Sequence, residues 1–243
     1  MTVPAASRVL DVIEAFARHR RPMTVSSLAR VLNLPASSCH GLVKTLEERG
    51  YLLHLKEEGG YYFSKGLELH AASIAGYSPL PSWVLPALEA VRDAAEETTL
   101  LAKLAGHSAV YVEVLESAQS VAYIAQRGDL RPLYASAAGK ALLGGMPAAQ
   151  RERLLAGLPL QKRNRHTLRT HEALARDLAH SARRGWYMTR GEFLPGVTAL
   201  ATPITLNDEL HAVVVAGPSV RVGRQLARLA NLVVGFVGRE RLR

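Results

Sequence analysis

Residues 24–63, TVSSLARVLNLPASSCHGLVKTLEERGYLLHLKEEGGYYF, decide how this chain is read. Leu28, Val31 and Leu32 fall on one side of a short helix that Thr24 can cap. Asn33-Leu34-Pro35 interrupts it, because proline is excluded from a helix interior but fits a first turn. Cys39, Leu42, Val43 and Leu46 form an i, i+3, i+4, i+7 stripe on a second helix, and Gly50 stands where that helix must end. Opposite the stripe lie Ser37, Gly41 and Lys44, flanked by Ser38, His40 and Thr45. These small, hydrogen-bonding or cationic groups suit a helix that enters a DNA major groove, with hydroxyls near base edges and a cation at phosphate. Gly41 costs about 1 kcal/mol relative to alanine in a helix interior, which points to close approach of another surface. Tyr51–Leu55, a charged turn and Tyr61–Phe63 then read as a hairpin. The pattern is a winged helix-turn-helix; a helix pair buried in a larger core is the other reading that the spacing permits.

Working outward, residues 7–19 predict a preceding helix with Val9, Val12, Ile13 and Phe16 on one side. Arg20 and Arg21 follow it, placed either along a DNA backbone or in a solvated basic loop. Ser26, at the start of the first helix of the pair, joins the candidate DNA contacts. Leu67–Ala75 predicts a connecting helix, with Leu67, Leu69 and Ile74 among small residues, as a self-association surface would have. Gly76–Pro81 carries two prolines and marks a domain boundary.

From Trp83 onward helix and strand patterns mix. A helix runs through Val84, Leu88, Val91 and Ala95 to near Thr98. Strands are predicted at 100–105, 109–115, 121–125, 197–206 and 210–216, with helices near 138–143, 148–156 and 172–184 and one through Leu226–Val237. Short separators make the strands antiparallel neighbours, so the class is α+β, an antiparallel sheet flanked by helices.

Composition narrows the function. The 243 residues carry a formal net charge of +9, which suits a polyanionic partner. Residues 1–66 hold only nine Lys or Arg against six Asp or Glu, so most of the surplus lies further on. One cysteine, Cys39, excludes an internal disulfide and a multi-cysteine metal site. No apolar run reaches the ~20 residues of a membrane span, and charges interrupt the N-terminal stretch, so a cytoplasmic protein is expected. Catalytic patterns are poor: Gly106-His-Ser lacks the closing glycine of a nucleophile elbow, and His166, His171 and His180 lack metal-ligand spacing. No cofactor is expected, and no converging ionisable groups are seen in the C-terminal half.

Three motifs stand in order: VxxLARxLxLPxSxxHxLxxTLExRGYL, ASxxGKALL at 135–143 and ExxPGVxxLAxPI at 192–204. With them the chain resembles the IclR family of bacterial transcription regulators over nearly its whole length. The resemblance implies a DNA-binding domain at 1–65, a linker helix at 66–80 and a GAF-like effector-binding domain at 81–243. It also implies homodimers or homotetramers on a palindromic operator in double-stranded DNA. Family members usually carry Lys or Arg where Ala36 and Gly41 stand here. By motif position the effector pocket is lined by Tyr123, Ala137, Ala138, Thr189, Val197, Ala199, Val214 and Ala216. Many relatives are more polar there, so a larger, more apolar effector is expected, aromatic in character. Were it an acid, Arg190 or Arg127 is the expected partner of its carboxylate; a solvent-facing Arg190 is the alternative. Two other functions remain in view: an enzyme with an appended DNA-binding module, and a DNA-bound dimer that takes no effector.

Overall fold

The computed structural model describes residues 3–75 and 80–240. The chain divides into two compact units, Met1–Pro79 and Leu80–Arg243. The boundary expected at Gly76–Pro81 lies mostly outside the described residues.

In the first unit helix α1 (Pro4–His19) begins three residues earlier than its apolar stripe suggests, because Pro4 supplies a favourable first-turn residue. Val12, Ala15 and Phe16 are its buried face. Helix α2 (Val25–Val31) starts at Thr24, whose Oγ1 accepts the Ser27 N–H at 3.1 Å. The turn after it is made by Asn33 at φ 51°, a left-handed conformation that asparagine tolerates. Helix α3 (Ala36–Glu48) follows, burying Cys39, Val43 and Leu46 against α1 and α2 in one core. Strands β1 (Leu52–Leu55) and β2 (Gly60–Phe63) form the hairpin, so Tyr51 is not part of it. Met23 bonds to Tyr61 in both directions, at 2.8 and 3.0 Å, as a third short partner of β2. Gly60 permits this, since a Cβ there would stand 2.9 Å from the Met23 backbone. Helix α4 (Lys65–Ala75) ends the described part of this unit.

The second unit opens with helix α5 (Val84–Ala95), which stops three residues before Thr98 as Glu96 turns left-handed at φ 56°. Strands β3 (Thr98–Ala105), β4 (Ser108–Leu115) and β5 (Leu130–Pro132) follow. Next come helices α6 (Ala137–Gly145), α7 (Ala148–Ala156) and α8 (His171–Arg184). Strands β6 (Tyr187–Arg190), β7 (Val197–Leu206) and β8 (Glu209–Pro218) complete the sheet, before helices α9 (Ser219–Arg224) and α10 (Leu226–Glu240). All six strands are antiparallel, in the order β5-β4-β3-β8-β7-β6.

The period-two alternation of strands sorts the core into two layers. Leu101, Leu200, Val213 and Val215 meet α5 and α10 on one face, while Leu100, Ala201, Ala212 and Val214 meet α6 on the other. Gly139 sets the depth of α6, because a Cβ there would lie 2.3 Å from the Leu133 Cα.

The strand expected at 121–125 does not form. Val121 and Ile124 are both 64% exposed, and side chains rather than a ladder take the backbone carbonyls. Thr98 Oγ1 donates to Tyr123 O at 2.7 Å, and Arg221 donates to Val121 O at 2.8 Å. The edges are instead β5 and β6, two short strands that the sequence pattern does not reveal. Among the described residues no helix is long and apolar enough to cross a membrane.

Candidate functional site

Two surfaces hold the residues singled out above. On α3 the apolar stripe faces the core and leaves Ser37, His40, Gly41, Lys44 and Thr45 exposed, with Ser38 half-buried. Ser26 on α2 and Arg20 and Arg21 after α1 are exposed as well. A Cβ at Gly41 would meet nothing within 4 Å, so packing inside the chain does not explain the glycine. Lys44 Nζ lies 3.7 Å from Glu48 on the same helix face. Such an exposed i, i+4 pair is worth only a few tenths of a kcal/mol and yields readily to a phosphate. Thr45 Oγ1 donates to Gly41 O at 2.8 Å, so its hydroxyl is partly engaged. No side chain caps the N-terminus of α3, where Pro35 precedes the first turn. The free N–H groups and the positive end of the helix dipole are therefore open to an anion.

In the second unit a small cavity of about 30 Å³, partly open to the surface, lies between the α6 face of the sheet and the segment after β6. It exists because the residues on this face are small. Thr189, Ala199, Ala216 and Thr98 stand in register across β6, β7, β8 and β3, a row with no large side chain. Ala137 and Ala138 begin α6 above them, after Ser136 caps the helix by accepting the Gly139 N–H at 3.0 Å. The positive end of α6 thus opens on the cavity. Tyr123, Ala137, Ala138, Thr189, Val197, Ala199, Val214 and Ala216 all line this one space.

Arg190 does not. Next to Thr189 on a strand, it points to the opposite face and is exposed, lining a separate cleft with Arg165 and His166. Arg127 is also elsewhere, paired with Glu113 at 2.6 Å. The cation in the cavity wall is Arg131 on β5. Its guanidinium lies between the rings of Tyr111 and Phe193, 5.1 and 5.2 Å from their centroids. Nε donates to Tyr123 Oη at 3.0 Å and Nη2 donates to Asp129 at 2.8 Å. Burial alone lowers the Arg131 pKa, but these hydrogen bonds and the nearby acidic groups hold it above its ordinary value. Burial, reinforced by Tyr123, pushes the Tyr111 hydroxyl well up.

Glu192 lines the cavity too, so the expectation of no converging ionisable groups fails on both sides of the space. Its Oε1 accepts from Lys140 Nζ at 2.8 Å, and the same Nζ lies 2.8 Å from Asp177 on α8. Lys140 is fully buried. Burial raises the Glu192 pKa although the Lys140 charge opposes it. Tyr111 is legible in hindsight, since β4 alternates and Tyr111 falls with Ala109 on the inner side. Arg131 has no such signal: β5 is three residues long and Arg131 follows a loop of polar residues.

A winged helix-turn-helix joined in sequence to a helix-flanked antiparallel sheet with an internal cavity defines a DNA-binding transcriptional regulator. The model of the IclR helix-turn-helix domain matches residues 5–55, and that of the bacterial transcriptional regulator IclR C-terminal domain matches residues 77–234. The chain belongs to the IclR family. It is 28% identical to the probable transcriptional regulator SauR of Cupriavidus necator, across 98% of this chain and 93% of that one. It is 26% identical to the transcriptional repressor IclR of Escherichia coli, across 90% and 82%. The crystal structure of an IclR homologue complexed with 4-hydroxybenzoate from Microbacterium hydrocarbonoxydans superposes with a TM-score of 0.71 at 27% identity, covering 96% of this chain and 98% of that one. The Thermotoga maritima IclR structure shares the fold, with a TM-score of 0.76 at 19% identity over 96% and 95%.

Proposed function

We propose that this regulator responds to a small carboxylate with an apolar, aromatic body, held in the cavity of the second unit. The observation that carries the reading is Arg131, a guanidinium in the cavity wall, while the acid that also lines the space, Glu192, is paired with Lys140. A carboxylate facing Arg131 and the N-terminus of α6 receives charge-assisted hydrogen bonds, and a flat ring lies against Val197, Ala199, Val214 and Ala216 once the segment after β6 moves outward to admit it. Without such a cation each unpaired polar group of an acid costs ~1–3 kcal/mol on burial, so Arg131 decides the ligand class. The relative that holds 4-hydroxybenzoate supports the same class. Calorimetric titration with 4-hydroxybenzoate, benzoate and an aliphatic acid of similar size is expected to rank the aromatic acids first. Arg131→Gln removes the charge and weakens binding of all three acids; aromatic acids bound equally well by Arg131→Gln overturn the reading.

On the first unit, Ser37, Ser38 and His40 are assigned to bases, with Ser26, Gly41 and Thr45 at the contact surface. Lys44, Arg20 and Arg21 are assigned to phosphates. One winged helix reads a half-site, so a homodimer or tetramer on a palindromic operator follows. The reading includes no catalysis. Lys140 is tied to two carboxylates, and the Ser136 hydroxyl donates to Pro132 O at 2.7 Å while it caps α6, so neither is poised as a nucleophile.

A further inference from the structure

The surplus positive charge of the chain has a place in the fold. Between residues 161 and 190 eight Lys or Arg stand against two carboxylates, Glu172 and Asp177. Asp177 is already engaged by Lys140 at 2.8 Å. The open cleft holding Arg165, His166 and Arg190 has a volume of about 900 Å³, and no carboxylate lines it. Among the described residues neither Arg165 nor Arg190 forms an ion pair with a carboxylate. Opposite these cations Thr198 Oγ1 donates to Ser219 Oγ at 2.9 Å, placing two hydroxyls on the floor. Asn164 braces the basic loop by donating to Gly191 O at 2.8 Å and Glu192 O at 3.0 Å.

We propose that this cleft is a second ligand site, which takes a phosphate-bearing small molecule. Arg165 Nε donates to His166 Nε2 at 3.0 Å and the Thr198 hydroxyl to Ser219, so those donors are spent. The remaining N–H groups of the two guanidiniums and the Ser219 hydroxyl still outnumber what a carboxylate's two oxygens accept, whereas a phosphate ester presents three oxygens and up to two charges. The cleft is also far larger than a bare phosphate, so an organic remainder has room. Binding removes the mutual repulsion of cations that have no acid beside them.

The site shares its wall with the cavity. Thr189, Val197 and Ala199 face the cavity, while Arg190 and Thr198, which alternate with them, face the cleft. The segment between the strands serves both, with Glu192 and Phe193 toward the cavity and Gly191, Pro195 and Gly196 toward the cleft. Gly191 at φ 67° and Gly196 at φ 80° hold its ends in conformations suited to glycine. A phosphate drawn onto Arg190 therefore fixes the segment that closes the cavity, and occupancy of one site changes affinity at the other. This coupling rests on the effector reading above; the phosphate site itself does not.

Titration calorimetry of the full chain with pyrophosphate, at constant ionic strength, tests the site. One saturable event per chain is expected. The paired substitution Arg165→Gln and Arg190→Gln weakens it at least about tenfold, while Arg153→Gln on α7, outside the cleft, leaves it within about twofold. Pyrophosphate binding that ignores the pair, or that never saturates, overturns the proposal. So does a pair that lowers affinity for non-specific duplex DNA while pyrophosphate does not bind, since the cleft is then a DNA-backbone contact. For the coupling, pyrophosphate is expected to shift the affinity for 4-hydroxybenzoate in the native chain and not in the pair. Two independent affinities overturn the coupling alone. Pyrophosphate bound through the cleft with no aromatic acid bound at all overturns the effector reading and leaves the phosphate site standing.

Discussion

Lys140 Nζ lies 2.8 Å from Glu192 Oε1 with no solvent exposure of its own, so an ion pair buried in the second unit ties α6 to the segment that walls the cavity. Both residues come from motifs far apart in sequence, and Asp177 of α8 joins them from a third element. Removing the cation leaves the mostly buried Glu192 without a counter-charge beside the partly exposed Asp177. Lys140→Met is therefore expected to destabilise the unit by ~3–5 kcal/mol, read as a fall in the denaturant midpoint. Glu192→Gln is expected to cost far less, because Asp177 still pairs with Lys140 and the amide oxygen still accepts its proton. The pH dependence has a definite sign. Burial raises the Glu192 pKa above its ordinary 4.5, so its contribution to stability is fully present below that pH and is lost as pH rises through the higher folded value. Glu192→Gln should remove that downward slope; equal losses from both variants, or an unchanged slope, count against the assignment.

How much of this was legible beforehand follows from element length. Helices α2 and α8 carry side-chain caps, α2, α3 and α8 carry apolar stripes of three or four residues, and the long strands β7 and β8 alternate, so the two-unit plan and eight cavity residues follow from pattern and motif. Short elements carry no period. The four residues of β6 sit in a stretch rich in small residues, and without recognising a strand there is no reason to send Thr189 and Arg190 to opposite faces. Val121–Ala125 shows the reverse failure, an apolar run whose backbone is held by Thr98 and Arg221 side chains. Arg131 takes its meaning from Tyr111, Tyr123 and Phe193, contacts that only the folded chain brings together.

Gly41 tests close approach to DNA separately from folding. It lies mid-helix with open space where a Cβ would be, so Gly41→Ala should stabilise the first unit by up to ~1 kcal/mol. If α3 lies deep in a groove, the same methyl group lowers operator affinity. Thermal melts and binding isotherms should thus move in opposite directions. A variant that melts higher and binds as tightly as the native chain means Gly41 does not approach the DNA.

Lys44 on α3 and Arg21 after α1 are expected to act through charge alone. Lys44→Ala and Arg21→Ala should each weaken binding to specific and unrelated DNA by similar factors. Each should also shallow the slope of log affinity against log salt by about one unit. Ser37→Ala or His40→Ala should instead lower affinity for the operator more than for unrelated DNA. Isotherms at several salt concentrations that leave both cation variants unchanged would mean this face of α3 does not meet the phosphate backbone.

The cavity itself is open to a direct steric test at Ala199. This residue stands between Thr189 and Ala216 in register on the inner face, where the row of small side chains leaves the space above it. A leucine at 199 projects into the volume that the ring of an aromatic acid is proposed to occupy. The added carbons exceed the small space present, so the segment after β6 has to give way, at an expected cost of ~1–3 kcal/mol in the second unit. Ala199→Leu is therefore expected to retain native operator affinity and to lose both aromatic-acid binding and any change in operator affinity that the acid produces. A ligand shifts a regulator only by binding its two states unequally, so blocking the cavity must abolish the response, not merely reset it. Mobility shifts with and without the acid, alongside calorimetry, give the two readouts. If Ala199→Leu melts like the native chain and still answers the acid at its native affinity, the acid binds at some other place in the protein.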